Sequence, residues 1–372
     1  MGLDFAALRR WPDVEAENLF ATDAADRLIL DEANEAIRSA PPGTVVVIGD
    51  HYGALTLGAE DLGARGIRTH QDALSGELAL AANAERVGLV GRFASRGLDA
   101  ELLSGARVVL LALPRGLDAL DEIAETIARY ADTEVVVIAG GRVKHMTTAM
   151  NDVLLRHFAQ LDVTRARSKA RGLIASGPRP SGRSVWPKRR HDVALDLDVV
   201  AHAAAFGGAA VDGGTRLLLD QLDAALPEAT EAIDLGCGTG VIAVELARRR
   251  PGLTVIASDQ SAAAVASASA TAEINGVADR VRVIRDDALS SQPDGSSSLI
   301  VLNPPFHIGA TVHTGIALKL FTDAARVLAP GGELWAVWNS HLGYRPALQR
   351  IVGPTRQIAR DRTYTVTASV RR

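Results

Sequence analysis

The run Ala232-Ile233-Asp234-Leu235, followed by Gly236-Cys237-Gly238-Thr239-Gly240 and an apolar-periodic segment up to Arg250, constrains the fold more than any other stretch. The first four residues read as a buried strand. The glycines read as a turn using backbone conformations that a Cβ disfavours, and the segment after them as a helix stopped by Pro251-Gly252. A strand that turns straight into a helix belongs to a βαβ unit, and hence to a parallel sheet with helices on both faces. The alternation continues through strand 254–258 closing at Asp259, the alanine-rich helical segment 262–275, strand 281–284 and strand 299–302 stopping at Asn303. Helix 317–328, the turn Pro330-Gly331-Gly332 and strand 333–338 complete a doubly wound α/β pattern.

The same rhythm occurs earlier. Val45-Val46-Val47-Ile48-Gly49-Asp50 reads as strand and turn, followed by strands 67–70 and 108–113, the latter ending at Pro114. Gly49 precedes Pro114 by 65 positions and Gly236 precedes Pro304 by 68, which favours an internal duplication. With 372 residues, 47% of them hydrophobic, the chain holds more than one ordinary core needs. The polar residues are not duplicated. The first half has Gly49-Asp50-His51-Tyr52-Gly53 at the turn, His70 in place of Asp259, and Leu113-Pro114-Arg115 in place of Asn303-Pro304-Pro305. The expected organisation is one domain over 1–177, a basic Pro- and Gly-containing linker over 178–192, and a second domain over 193–372.

Between Arg165 and His191 stand nine Lys and Arg residues with no Asp or Glu, a density suited to phosphate neutralisation or to a solvated linker. The formal net charge of −4 and pI ≈ 6.2 argue against a uniformly basic nucleic-acid coat. The single cysteine, Cys237, permits no intrachain disulfide and no cysteine-based zinc site. No run of about 18 apolar residues and no signal-peptide pattern occurs, so a cytoplasmic protein that uses neither membrane nor metal is expected.

Three close glycines alone suit a dinucleotide as well as other nucleosides. Asp234 shifts the reading, because a carboxylate before the turn repels a phosphate but receives the ammonium of a methionine moiety, pointing to S-adenosylmethionine. Asp259, at the next strand end, suits the ribose hydroxyls, and Asp287 suits the adenine amine, with Asp286 as the alternative. Gly236, Gly238 and Gly240, with Cys237, Gln260, Ala288 and Asn303, are expected to line the same pocket. Cys237 reads as a small residue packed in the turn rather than a nucleophile. Asn303-Pro304-Pro305-Phe306 supplies a side-chain acceptor, a carbonyl acceptor at Pro304, a backbone lock at Pro305 and an aromatic face at Phe306. Two acceptors on a planar amine aim its lone pair at a donor methyl, a gain in proximity and orientation. His307 reads equally as a substrate contact or as a loop cap; with Arg189 and Arg190 it is a candidate RNA contact.

These motifs resemble the ribosomal RNA guanine-N2 methyltransferases. The likeness extends to Val211-Asp212-Gly213-Gly214-Thr215-Arg216, which borders the site in that family and adds Thr215 to the cofactor contacts, and to Asn339-Ser340-His341-Leu342-Gly343-Tyr344. Gly140-Gly141-Arg142-Val143-Lys144-His145 and Ser168-Lys169-Ala170-Arg171 resemble the large-subunit branch, acting on 23S rRNA, more than the 16S branch. Phe206-Gly207-Gly208-Ala209-Ala210 departs from the family, lacking the polar pair after its Phe. The resemblance implies two tandem Rossmann-like methyltransferase domains, the N-terminal one degenerate and the C-terminal one catalytic. It also implies S-adenosylmethionine as cofactor, and ribosomal RNA or a ribosomal subunit as partner of a monomer. The competing readings are methylation of adenine N6 or a protein glutamine amide, a nicotinamide oxidoreductase, and an inactive RNA-binding protein.

Overall fold

The structure is a computed structural model that describes all residues except 1, 181 and 305–309, with the backbone alone for 310–314. The chain divides into two compact units, Met1–Val185 and Trp186–Arg372, and the division falls inside the stretch expected as a linker.

In the first unit the strands are β1 (Val45–Ile48), β2 (Ile67–His70), β3 (Phe93–Ser95), β4 (Val108–Ala112), β5 (Val136–Arg142), β6 (Phe158–Val163) and β7 (Ala170–Pro178). They form one sheet in the order β3-β2-β1-β4-β5-β7-β6, parallel from β3 through β5, with β7 reversed and antiparallel to both β5 and β6. The second unit opens with a ribbon of β8 (Lys188–Asp192) against β9 (Leu197–Ala201). Residues 188–192 were expected as the end of an irregular linker. They are extended because β9, with Leu197, Val199 and Ala201 buried, offers a paired edge to which the exposed basic strand adds.

The second sheet comprises β10 (Glu231–Leu235), β11 (Thr254–Asp259), β12 (Val281–Arg285), β13 (Ser297–Leu302), β14 (Leu328–Asn339), β15 (Thr355–Arg360) and β16 (Tyr364–Val370). Its order, β12-β11-β10-β13-β14-β16-β15, repeats the first position by position, again with one reversed strand, β16, between its two antiparallel neighbours. The Pro330-Gly331-Gly332 turn expected before β14 lies within that strand, where the β13 register slips between Ser297 and Leu299.

Burial explains the apolar runs. Val46 and Ile48 pack into one core and Val45 and Val47 into another, so successive β1 residues serve opposite faces. In the second unit Leu299, Val301, Trp335 and Val337 share one core, and Ile300, Leu302, Leu334, Ala336 and Trp338 the other. Each fully buried Leu, Ile or Val contributes about 1.5–3 kcal/mol, which is why a two-faced parallel strand shows no polar alternation.

The duplication reaches the turn backbone. Gly236, Gly238 and Gly240 have φ of +70°, +54° and +79°, and Gly49, His51 and Gly53 have +77°, +57° and +101°. Both turns thus visit the left-handed region at the first, third and fifth positions, and in the first half a histidine occupies the third. Pairing also corrects the alignment of the halves by one residue. Gly49 donates to the His70 carbonyl as Gly236 does to that of Ser258, and β4 meets Ile48 at Leu111 as β13 meets Leu235 at Leu302. Gln71 therefore corresponds to Asp259, and Ala112 to Asn303, because strand ends read from apolar runs alone are uncertain by a residue. Gln71 lacks the acid of Asp259, and Ala112 lacks the amide of Asn303.

A Cβ at Gly240 would stand 2.9 Å from the Cβ of Ala268, in helix Ala262–Ile274, besides straining the φ of +79°. Gly240→Ala is expected to cost about 1–3 kcal/mol, read as a lowered urea midpoint of the second unit.

Candidate active site at the carboxyl ends of the second sheet

Asp234 is fully buried in β10. Its Oδ2 accepts from the amide of Ala243 at 3.0 Å, in the first turn of helix Val241–Arg249, and its Oδ1 has no partner among the described residues. Burial, followed by the nearby charge of Asp259, pushes its pKa up to about 7. A carboxylate already seated on that helix end leaves a poor place for a pyrophosphate, against the nicotinamide reading. The orphaned Oδ1 suits a cationic donor such as an ammonium. Beside it a Cβ built on Gly236 would meet nothing within 4 Å, so the turn borders open space.

Asp259 ends β11 and ties the turn to the next loop, Oδ2 accepting from Gly238 N at 3.0 Å and Oδ1 from Ser261 N at 2.9 Å. Next to it Gln260 has a buried Oε1 without a partner among the described residues. Burial raises the Cys237 thiol well above its ordinary range, and this suits packing rather than attack. Asp286 is consumed locally, accepting from Ser290 Oγ and from the amide and hydroxyl of Ser291. Asp287 carries an ion pair that the sequence reading missed: Lys319 Nζ lies 2.6 Å from both its oxygens. An adenine amine would have to share this carboxylate with the lysine. The following Ala288 adopts φ +59°, and its carbonyl accepts from Ser258 Oγ at 3.0 Å.

Asn303 immediately follows β13, one strand from β10. Its Nδ2 donates to Thr215 Oγ1 at 2.9 Å and to Asp212 Oδ2 at 3.2 Å, while its Oδ1 is buried without a partner among the described residues. Asp212 caps helix Gly213–Leu219, its Oδ1 accepting from the amides of Gly214 at 2.8 Å and Thr215 at 3.1 Å. The Asp-Gly-Gly-Thr sequence carries a helix-cap signal that could have singled out Asp212. Pro304 is buried, whereas Pro305, Phe306 and His307 lie outside the described residues.

In the first unit Val47 stands at the position of Asp234, and the carboxylate nearest the turn is already spent. Asp50, in the turn, gives both oxygens to the amides of Leu55 and Thr56 at 2.7 and 2.8 Å, leaving nothing like the orphan on Asp234. The turn is also covered: Tyr52 donates to Asp13, the Arg10 guanidinium lies over its ring, and Asn83 donates to the Tyr52 and Arg9 carbonyls. Its sheet edge instead gathers positive charge. Partial desolvation, then the charges of Arg115, Lys144 and Arg142, hold the His145 imidazole below its ordinary range, with Asp23 opposing them. Elsewhere the basic stretch is partly neutralised, since Arg189 forms two hydrogen bonds with Asp198 across the ribbon and Arg167 pairs with Asp31 and Glu32. Arg190 is exposed in the same ribbon.

Residues 196–368 match the methyltransferase small domain, and residues 3–180 match the RLMG N-terminal domain. A ribosomal RNA large subunit methyltransferase G of Streptomyces coelicolor is 34% identical over 98% of this chain and 97% of its own. The chain belongs to the ribosomal RNA large subunit methyltransferase G family. A relative of the same name from Pseudomonas aeruginosa is 34% identical over 96% of each chain. Among solved structures, a T. thermophilus 16S rRNA N2 methyltransferase in complex with AdoMet and guanosine superposes with a TM-score of 0.72 at 22% identity. It covers 96% of this chain and 97% of its own, placing both units in one known two-domain fold. The resemblance read from the motifs, the large-subunit branch included, therefore holds, and the tandem methyltransferase fold with it. Among the described residues no helix is long and apolar enough to cross a membrane, and no group of His, Cys, Asp and Glu could hold a metal ion.

Asp234 has a folded pKa of about 7 against an ordinary 3.8, so between those values the folded chain holds a proton that the unfolded chain has lost. Its contribution to stability is present at low pH and is lost as pH rises toward about 7. In ligand-free protein, Asp234→Asn is therefore expected to gain on the wild type between pH 5 and pH 8 by on the order of 2 kcal/mol. Urea midpoints at the two pH values measure it, and a constant gap would show that this carboxyl does not titrate there.

Proposed function

We propose that this chain transfers a methyl group from S-adenosylmethionine to the exocyclic N2 amine of a guanine in large-subunit ribosomal RNA. The observation that carries the reading is the Oδ1 of Asn303, unpartnered among the described residues and held at the end of β13, next to the strand holding Asp234 Oδ1, likewise unpartnered among them. The donor set fits the cofactor. Asp234 would take its ammonium and Asp259 its ribose hydroxyls, while Gln260, Asp287, Ala288 and Thr215 would line the remainder around the glycine turn.

When bound, S-adenosylmethionine supplies a methyl carbon on a sulfonium sulfur: the amine lone pair bonds to that carbon, the C–S electron pair stays on sulfur, and one amine proton is released. The chain's own work is alignment. Asn303 Oδ1 and the Pro304 carbonyl accept the two amine hydrogens, so that the lone pair stands out of the base plane. Pro305 and Phe306 are assigned backbone restraint and base stacking on sequence grounds. A guanine inside a duplex cannot reach two such acceptors, so the target is a looped or flipped nucleotide.

The first unit, with its turn closed and its sheet edge carrying Arg115, Arg142, Lys144 and His145, serves as the RNA-holding domain. It corresponds to the compact unit Met1–Val185, and the protein works as a cytoplasmic monomer.

Ribosomal RNA from cells lacking the gene is expected to lose N2-methylguanine at one large-subunit position by nucleoside mass spectrometry, and unchanged N2-methylguanine would overturn the reading. Asn303→Ala is expected to lower kcat by about a hundredfold or more, because a preorganised polar contact to the reacting group is removed. Full activity would exclude the side chain from the reaction. Arg115→Glu combined with Lys144→Glu is expected to weaken RNA binding and flatten its salt dependence by about two units of log–log slope. Calorimetry should find cofactor affinity unchanged, and an unaltered salt slope would remove this edge from the RNA interface.

A further inference from the structure

An asparagine amide presents an acceptor on one side and two donors on the other, and the two sides are nearly equal in shape. The role proposed for Asn303 therefore requires something that decides which side faces substrate. Four donors converge on the Asp212 carboxylate: the Gly214 and Thr215 amides on Oδ1, and the Thr215 hydroxyl at 2.6 Å and Asn303 Nδ2 at 3.2 Å on Oδ2. Because the Thr215 hydroxyl donates its hydrogen to Asp212, it offers only lone pairs to Asn303, 2.9 Å away. Both groups facing the amide are acceptors, so its nitrogen must turn to them and its oxygen away. Resting on the guanine-amine reading, we propose that Asp212 is a positioning residue that sets the Asn303 amide with Oδ1 toward the substrate amine, using Thr215 as its second contact.

The network does more than orient. A charged group at one end of a hydrogen-bonded chain polarises the links after it, so Asp212 makes Asn303 Oδ1 a stronger acceptor. Positive charge grows on the amine as its bond to carbon forms, and a stronger acceptor favours that state over the ground state. The surroundings keep the effect from being screened. The Tyr364 ring packs so closely that a Cβ on either Gly213 or Gly214 would come within 3.1 Å of it. Burial and the charge of Asp212, with Asp361 behind them, raise the Tyr364 hydroxyl above its ordinary range.

Asp212→Asn tests this, because asparagine caps a helix about as well as aspartate and keeps the shape. With its oxygen retained on the helix amides, the new amide turns a donor toward Thr215 and Asn303. Asn303 must then flip and present its own donors to the substrate amine. Melting temperature and calorimetric affinity for S-adenosylmethionine are expected to stay near wild type, while kcat on ribosomal RNA falls about a hundredfold. The reciprocal swap, Asp212→Asn with Asn303→Asp, satisfies every donor again and restores an acceptor toward substrate, so it should recover at least about tenfold of that loss. Asn303→Asp alone sets two carboxylates against each other, so its melting temperature should drop as pH rises, and the swap should abolish that drop. Asp212→Asn with kcat near wild type, or a swap no better than the single variant, would overturn the proposal. A wild-type protein that methylates no RNA would sink the functional reading, leaving the melting series to decide the Asp212–Asn303 coupling.

Discussion

Strand β10 pairs in parallel with β11 on one side and β13 on the other, and the site follows from that arrangement. Connections leaving the carboxyl end of a central strand toward opposite sides of a parallel sheet open a crevice there. Asp234, the glycine turn, Asp259 and Asn303 all lie at these strand ends, although about 70 residues of chain separate the first from the last. A slip of one residue in either pairing would move an inward apolar set onto the wrong face. The two cores that hold the register therefore also hold the polar groups in place.

The two units show how little separates a pocket from a scaffold. Their strand order is the same, and both turns pass through left-handed backbone at the same three positions. They differ in what a buried carboxylate is left to do. Asp50, three residues further along the turn than Asp234 in the aligned halves, gives both oxygens to helix amides, whereas Asp234 gives one and keeps the other buried with no partner among the described residues. The second arrangement weakens the ligand-free protein, as strained or unsatisfied groups at functional sites commonly do. A cationic ligand would relieve that cost, which couples the stability of the second unit to occupancy.

Much of this was legible in the chain because its signals are local. An apolar run of four residues, a glycine-spaced turn and an acid at the following strand end each follow from the chemistry of neighbouring residues, as with Asp234, Gly236 and Asp259. Signals that depend on distant partners were not legible. The stretch Arg165 to His191 contains no acid, yet Asp198 and the pair Asp31 and Glu32 lie against Arg189 and Arg167. Lys319 on Asp287 belongs to the same class, a contact across 32 positions. The correspondence of the halves missed by one residue because register is decided by pairing between strands.

The sequence by itself determined the architecture, the duplication and the family, since these rest on periodicity, turn chemistry and motif identity carried within short windows. Only the tertiary structure decided the state of each polar group. It alone shows which carboxylate oxygen is spent on a backbone amide, which arginine is already neutralised, and which face of the Asn303 amide is offered. Those outcomes depend on donors and acceptors brought within about 3 Å from remote positions, a range at which one partner changes the chemistry of a buried group.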